Sequence, residues 1–219
     1  MGVLWARMGV LVSGCVRRKT TSHPDVAGYT FTQALLAEEV GELSAAVTSW
    51  DDYAAVYAHP LVASNTPAAM CWAAPTYEKA AQRAKADAAL AAPMRAVGVS
   101  KYVDCYRFRG DVLELRGDWA AVQEWYVKSV RLGPSIPSGY YPWGVALAKH
   151  GELNGAAAKF KDANQKGPHW ADPLKAWGDV LETQGKIKDA LVKYDEALKY
   201  APNWKQLKEA REAAATQKS

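Results

Sequence analysis

The side chains able to do covalent or acid–base chemistry are sparse in this chain and form no constellation. Four histidines, His23, His59, His150 and His169, lie in or beside turn signals. His150 directly precedes Gly151, where a ring that can carry charge suits a helix C-terminus, so capping is its expected role. The adjacent pair Asp51 and Asp52 could bind a cation, but neighbouring acids near a helix are ordinarily solvated. Three cysteines, Cys15, Cys71 and Cys105, are too few for a disulfide framework. No CxxC pair or Cys/His cluster points to a metal. The sequence has no glycine-rich phosphate loop, nucleophile motif or HExxH. Gly133-Pro134-Ser135 and Gly167-Pro168-His169 read as turns between helices. The expectation is a chain that is not an enzyme, with no metal and no cofactor. Its chemistry would be that of a binding surface, so the question becomes which elements position that surface.

Those elements repeat. Gly110, Gly144 and Gly178 are spaced by 34 residues, as are Gly117, Gly151 and Gly185, and Pro134, Pro168 and Pro202. Three independent series in one register point to a helix–turn–helix unit that stacks on copies of itself. The first glycine series falls inside a helical pattern. There glycine costs about 1 kcal/mol relative to alanine, a penalty that close approach of a second helix would offset. The second series falls where a left-handed C-cap favours glycine. The prolines end the second helix because they cannot extend it. The units then run 103–136, 137–170 and 171–204.

With that register, the first helices read Tyr106-x₂-Arg109-Gly110-x₂-Leu113, Tyr140-x₂-Trp143-Gly144-x₂-Leu147 and Leu174-x₂-Trp177-Gly178-x₂-Leu181. The second helices read Val122-x₃-Tyr126, Ala156-x₃-Phe160 and Ala190-x₃-Tyr194. This pattern resembles the tetratricopeptide repeat family, bacterial type, over about 102 residues. Arg109, Val122 and Ser129 depart from it, which makes the first unit the least regular. The resemblance implies an all-α, right-handed α-solenoid of stacked helix–turn–helix repeats. It also implies a concave face lined by the first helices. Carried over by register, that face comprises Asp104, Arg107, Asp111, Glu114 and Leu115, then Ser138, Tyr141, Val145, Ala148 and Lys149, then Asp172, Lys175, Asp179, Glu182 and Thr183. The partner-binding residues expected from it are Arg107, Asp111, Glu114, Tyr141, Val145, Lys149, Lys175, Asp179 and Glu182. Chaperone-binding members clamp a C-terminal carboxylate. Their Asn sites fall here at Asp111 and Val145, and an Asp would repel that ligand.

The phase continues backwards more faintly. In 69–102, Trp72 matches the first aromatic site and Ala88 and Ala96 the small sites, while Thr76 and Arg83 replace the glycines and the proline comes early, as Pro93. Gly41, Ala46, Trp50, Tyr53 and Pro60 resemble the second half of another unit, offset by a loop around 61–68 that contains Asn65-Thr66-Pro67. Residues 27–102 are therefore expected to hold two degenerate repeats, and 205–219 a capping helix and tail. Cys71 and Cys105 would occupy equivalent places on neighbouring helices. Helix axes about 8–10 Å apart against a Cα separation within about 7 Å for a disulfide favour two buried thiols.

The remaining numbers limit the setting. The 219 residues carry a net charge of +4, too mild to imply a nucleic-acid partner. Residues 27–68 hold Glu38, Glu39, Glu42, Asp51 and Asp52 without a Lys or Arg, and 69–102 swing basic. No stretch of 18 apolar residues suggests a transmembrane helix. Residues 1–26 read as a leader or disordered segment. Leu11-Val12-Ser13-Gly14-Cys15 is similar to a lipoprotein lipobox, although Arg7 interrupts the apolar run and Arg17, Arg18 and Lys19 follow the cysteine. The expectation is a cytoplasmic protein–protein interaction module for a peptide or protein partner, in a bacterial signalling or regulatory setting that the resemblance suggests. The alternative is a self-associating scaffold, or a periplasmic or envelope lipoprotein acylated at Cys15.

Overall fold

The computed structural model describes residues 24–57, 68–95 and 103–217. Cys15, His23, His59, Pro60, the 61–67 loop and Ala96 lie outside them. The described residues are helical throughout, and they fall into two compact units that divide at Val97 and Gly98.

In the N-terminal unit, helix α1 spans Pro24–Glu39 and α2 Leu43–Tyr57. A 3₁₀ turn, Ala68–Ala73, leads into α3, Ala74–Lys79, and then α4, Arg83–Arg95. Helix α1 takes in Pro24, Asp25 and Val26, which the sequence reading leaves in the leader; proline is pre-organised for the start of a helix. Helix α1 packs on α2, and α3 with its 3₁₀ turn packs on α4. An aromatic cluster fills the first pair. Phe31 meets Trp50 edge-on at 5.4 Å and lies 5.6 Å from both Tyr53 and Trp72.

In the C-terminal unit, α5 spans Val103–Leu115, α6 Trp119–Leu132, α7 Pro137–Lys149 and α8 Leu153–Lys166. Helices α9, Ala171–Thr183, α10, Ile187–Tyr200, and α11, Lys205–Gln217, complete it. Consecutive helices pair as α5 with α6, α7 with α8 and α9 with α10, and α11 packs on α10. The rings of Tyr126, Phe160 and Tyr194 are buried between the helices of each pair. A Cβ added to Gly178 would come within 2.4 Å of Tyr194, one at Gly144 within 2.6 Å of Phe160, and one at Gly110 within 3.1 Å of Tyr126. The ring occupies the space that the glycine leaves. On α11, Leu207 and Ala214 are buried against Leu174 and Tyr194.

One turn recurs five times across the two units. Gly41, Gly117, Gly151 and Gly185 have φ between 73 and 79°, and Ala81 has φ 58°. Each donates its N–H to a carbonyl three residues back, and the next residue donates to one five back; Gly117 to Glu114 and Asp118 to Leu113 are one instance, Ala81 to Glu78 and Gln82 to Tyr77 another. This is the Schellman closure of a helix.

The turn also corrects the register of 69–102. The left-handed residue there is Ala81 rather than Arg83, so the site seven residues earlier is Ala74 rather than Thr76. The small site on the following helix is Ala86, which is buried, whereas Ala88 is exposed. The interval from Ala81 to Gly117 is thus two residues longer than the 34 of the later units. An alanine in the left-handed turn carries no glycine signal, which is why the offset is invisible in the sequence.

The two thiols are a second correction. Cys71 and Cys105 are each disulfide-bonded. The axis-distance argument fails because Cα atoms lie about 2.3 Å off a helix axis, so a separation between axes does not set the separation between Cα atoms.

Candidate functional site

The candidate residues all lie on α5, α7 and α9, which share one side of the C-terminal unit. Helix α7 packs on both α5 and α9. Ser138 Oγ donates to Asp104 Oδ1 at 3.1 Å, and Lys149 Nζ reaches Glu114 Oε1 at 2.8 Å, both joining α7 to α5. The Gln217 side-chain amide donates to Glu182 Oε1 at 2.7 Å, joining α11 to α9.

On α5, Arg107 lies 3.2 Å from Asp111 and 3.7 Å from Asp104. Asp111 also accepts a hydrogen bond from the hydroxyl of Tyr126 on α6. Burial raises the Asp111 carboxyl above its ordinary range, against the lowering influence of Arg107 and of that hydroxyl. The Tyr126 hydroxyl is raised in turn, first by burial and then by the Asp111 charge. On α9, Lys175 Nζ spans both oxygens of Asp179, at 2.8 and 3.2 Å. The Tyr194 hydroxyl on α10 lies 2.9 Å from Asp179 Oδ1 and 2.8 Å from Glu182 Oε2, so its one proton is shared between the two carboxylates. Val145, midway between these two sites, is half-buried beside the Leu147 and Phe160 cluster.

A coupling between repeats emerges that the sequence reading missed. Positions 111, 145 and 179 are Asp, Val and Asp, and positions 126, 160 and 194 are Tyr, Phe and Tyr. A carboxylate stands on the first helix only where the ring opposite carries a hydroxyl, as a buried polar group needs a partner. The signal was present as a 15-residue interval. Asp111 and Asp179 therefore hold their own helix pairs together, Asp111 largely buried and Asp179 half-exposed.

A cavity of about 340 Å³ opens between α7, α9 and the start of α11. Tyr141 and Trp204 supply its aromatic surface, and Asp172, Lys175 and Asp179 its charge. Of the expected residues it brings together Tyr141, Lys175 and Asp179; Arg107, Asp111, Glu114, Val145, Lys149 and Glu182 do not line it. Asp172, Ala176, Trp204 and Gln206 are the lining residues that the expected partner-binding set leaves out, Asp172 having been placed on the concave face by register. Tyr141 is braced from behind, its ring 4.9 Å from Trp170 and 5.9 Å from Phe160. Burial raises its hydroxyl, helped by the charges of Asp172 and Asp179. This arrangement can hold a side chain by ring contact and charge; among the described residues, nothing in it resembles a nucleophile with a base.

Stacked helix pairs, with a glycine opening each pair to a ring and a left-handed turn closing its first helix, define the tetratricopeptide-repeat fold, and the chain has that fold. Solved structures agree. A thermophilic tetratricopeptide-repeat protein of Thermus thermophilus superposes with a TM-score of 0.67 at 19% identity, over 87% of this chain and 99% of its own. YrrB, a TPR protein with an unusual peptide-binding site, does so with a TM-score of 0.53 at 18% identity, over 91% and 97%. The first TPR of Spaghetti (RPAP3), bound to the HSP90 peptide SRMEEVD, covers 54% of this chain and 94% of its own, with a TM-score of 0.51 at 14% identity. At these identities the likeness is one of fold. No protein-family model matches the chain, and no curated protein does.

Proposed function

We propose that residues 103–217 form a non-catalytic interaction module that binds a peptide or protein segment along the side shared by α5, α7 and α9. The observation that carries this reading is the cavity beside Tyr141. A braced aromatic ring, a second ring from Trp204 and charged groups around them suit a side-chain anchor better than a reaction. Two structures of similar fold are described with a bound peptide or a peptide-binding site, which supports the same role here. Selection from a phage-displayed random peptide library is the test. Enriched peptides should bind the purified protein and lose affinity at Tyr141→Ala and Trp204→Ala, while the melting curves stay close to wild type. A library that yields no binder overturns the reading.

The disulfides bear on the compartment. Such bonds persist in oxidising surroundings and are rare in the cytosol. Disulfide-bonded Cys71 and Cys105 therefore favour the periplasmic or envelope alternative over the cytoplasmic one. No helix among the described residues is long and apolar enough to cross a membrane. Alkylation of intact cells followed by mass mapping decides this: free Cys71 and Cys105 thiols would return the protein to the cytoplasm.

A further inference from the structure

The balance of charge on this side of the molecule says what kind of segment it takes. On the face expected from the register, three cations, Arg107, Lys149 and Lys175, stand among the six carboxylates of α5, α7 and α9, while the fourth cation of these helices, Arg109, lies over the Trp125 ring. Each of the three is already held by a carboxylate of the same chain. An acidic ligand would have to break one of those pairs and approach the surplus negative charge. Asp172, by contrast, makes no ion pair or hydrogen bond among the described residues, and it lines the cavity beside Tyr141 and Trp204.

The aromatic surfaces carry the same message. Trp125, Trp143 and Trp177 each have a lysine of the chain at 4.4 Å from the ring centre, namely Lys128, Lys159 and Lys193. Trp204 has only Lys175, at 6.0 Å, the outer limit for such a contact. The rings that seat a cation well are filled from within. The ring that lines the cavity is not.

We propose that the cavity receives a lysine or arginine side chain from a basic peptide segment, its charge against Asp172 and its stem between Tyr141 and Trp204. This rests on the binding role proposed above and adds the chemistry of the ligand. Three fluorescein-labelled dodecapeptides, identical except for Lys/Arg, Glu or Gln at the charged positions, test it by anisotropy. The Lys/Arg peptide should bind at least about tenfold more tightly than the Gln peptide, and should weaken as salt is raised. Asp172→Asn should reduce that preference about fivefold or more, since among the described residues it deletes the cavity's carboxylate that has no ion pair, while keeping the shape. Trp204→Ala should weaken the Lys/Arg peptide in the same way, with circular dichroism verifying the fold. Equal or tighter binding of the Glu or Gln peptide, or a preference unchanged in Asp172→Asn, overturns the inference. The library selection separates the two levels: enrichment of acidic or uncharged peptides sinks only the basic ligand, whereas no enrichment sinks the binding role with it.

Discussion

The two units make the same turn and helix pairing with different residues. In the C-terminal unit, glycine stands wherever a ring presses on the first helix, at Gly110, Gly144 and Gly178. At the corresponding places of the N-terminal unit, seven residues before each left-handed turn, stand Ala34 and Ala74, both fully buried. A methyl group is accommodated in one unit and excluded in the other. The polar ties differ as well. The C-terminal unit holds carboxylates with tyrosines fifteen residues on. In the N-terminal unit Glu38 accepts from the Trp50 indole at 2.7 Å and from the Thr76 hydroxyl, while Asp51 pairs with Lys85 at 2.8 Å and accepts from Tyr77 at 3.0 Å. The lesson is that backbone geometry is shared, whereas the side chains filling each pair were chosen locally.

The sharpest way to break this comparison is to exchange the small residues. Gly178→Ala and Gly144→Ala should each cost about 3 kcal/mol, the upper part of the range for overpacking, because a buried ring must move. Gly110→Ala should cost about 1 kcal/mol, as its contact at 3.1 Å is looser. The reverse change, Ala34→Gly, should cost only about 1 kcal/mol from helix propensity. Urea midpoints of the full chain rank the four; equal effects would remove the distinction between the units.

The next test concerns the hydroxyl and its carboxylate. Tyr194→Phe should lose about 1–2 kcal/mol, since it removes the one proton that Asp179 and Glu182 share. Phe160→Tyr places a hydroxyl opposite Val145 and should destabilise by about 2 kcal/mol. Adding Val145→Asp should then recover about 1 kcal/mol, a coupling that a double-mutant cycle reads directly. Additive effects would mean that the paired Asp and Tyr identities are unrelated.

Smaller still is the effect of the turn. Ala81→Gly should stabilise by about 1 kcal/mol because it relieves a left-handed alanine, and Gly151→Ala should destabilise by a similar amount. Thermal melts of the two variants should move in opposite directions.

The smallest expected effect is the pH dependence at Asp111. Its folded carboxyl is raised by burial, so its favourable contribution is complete below the ordinary Asp range and is lost as pH rises through the raised value. Denaturation of wild type and Asp111→Asn across the acidic to neutral range should show wild type gaining on the variant as pH falls. A gap that widens in the opposite direction would show that Arg107 and Tyr126 outweigh burial.

The legible part of this fold was the part that glycine writes. Gly117, Gly151 and Gly185 mark turns because only glycine enters that backbone region without strain, and Gly110, Gly144 and Gly178 mark ring contacts because a Cβ would collide. Ala81 closes its helix with the same hydrogen bonds yet looks like any other alanine, so the register of 69–102 reads two residues late. The candidate site was legible only in part. Tyr141, Lys175 and Asp179 could be placed on one side by period alone. Asp172 was on the face expected from the same period, though outside the expected partner-binding set, whereas Trp204 joins them from the segment that leads into α11, away from the first-helix positions that the period marks.

By itself the sequence determined the helical class, the repeat length and the close pairing of helices in residues 103–204, because these depend on local backbone preference and steric exclusion repeated at a fixed interval. Only the tertiary structure decided which carboxylates are held by their own chain, which ring remains weakly capped and where the cavity opens. Those properties depend on distances between residues far apart in sequence, and a one-dimensional period carries no information about which of two equivalent side chains finds its partner first.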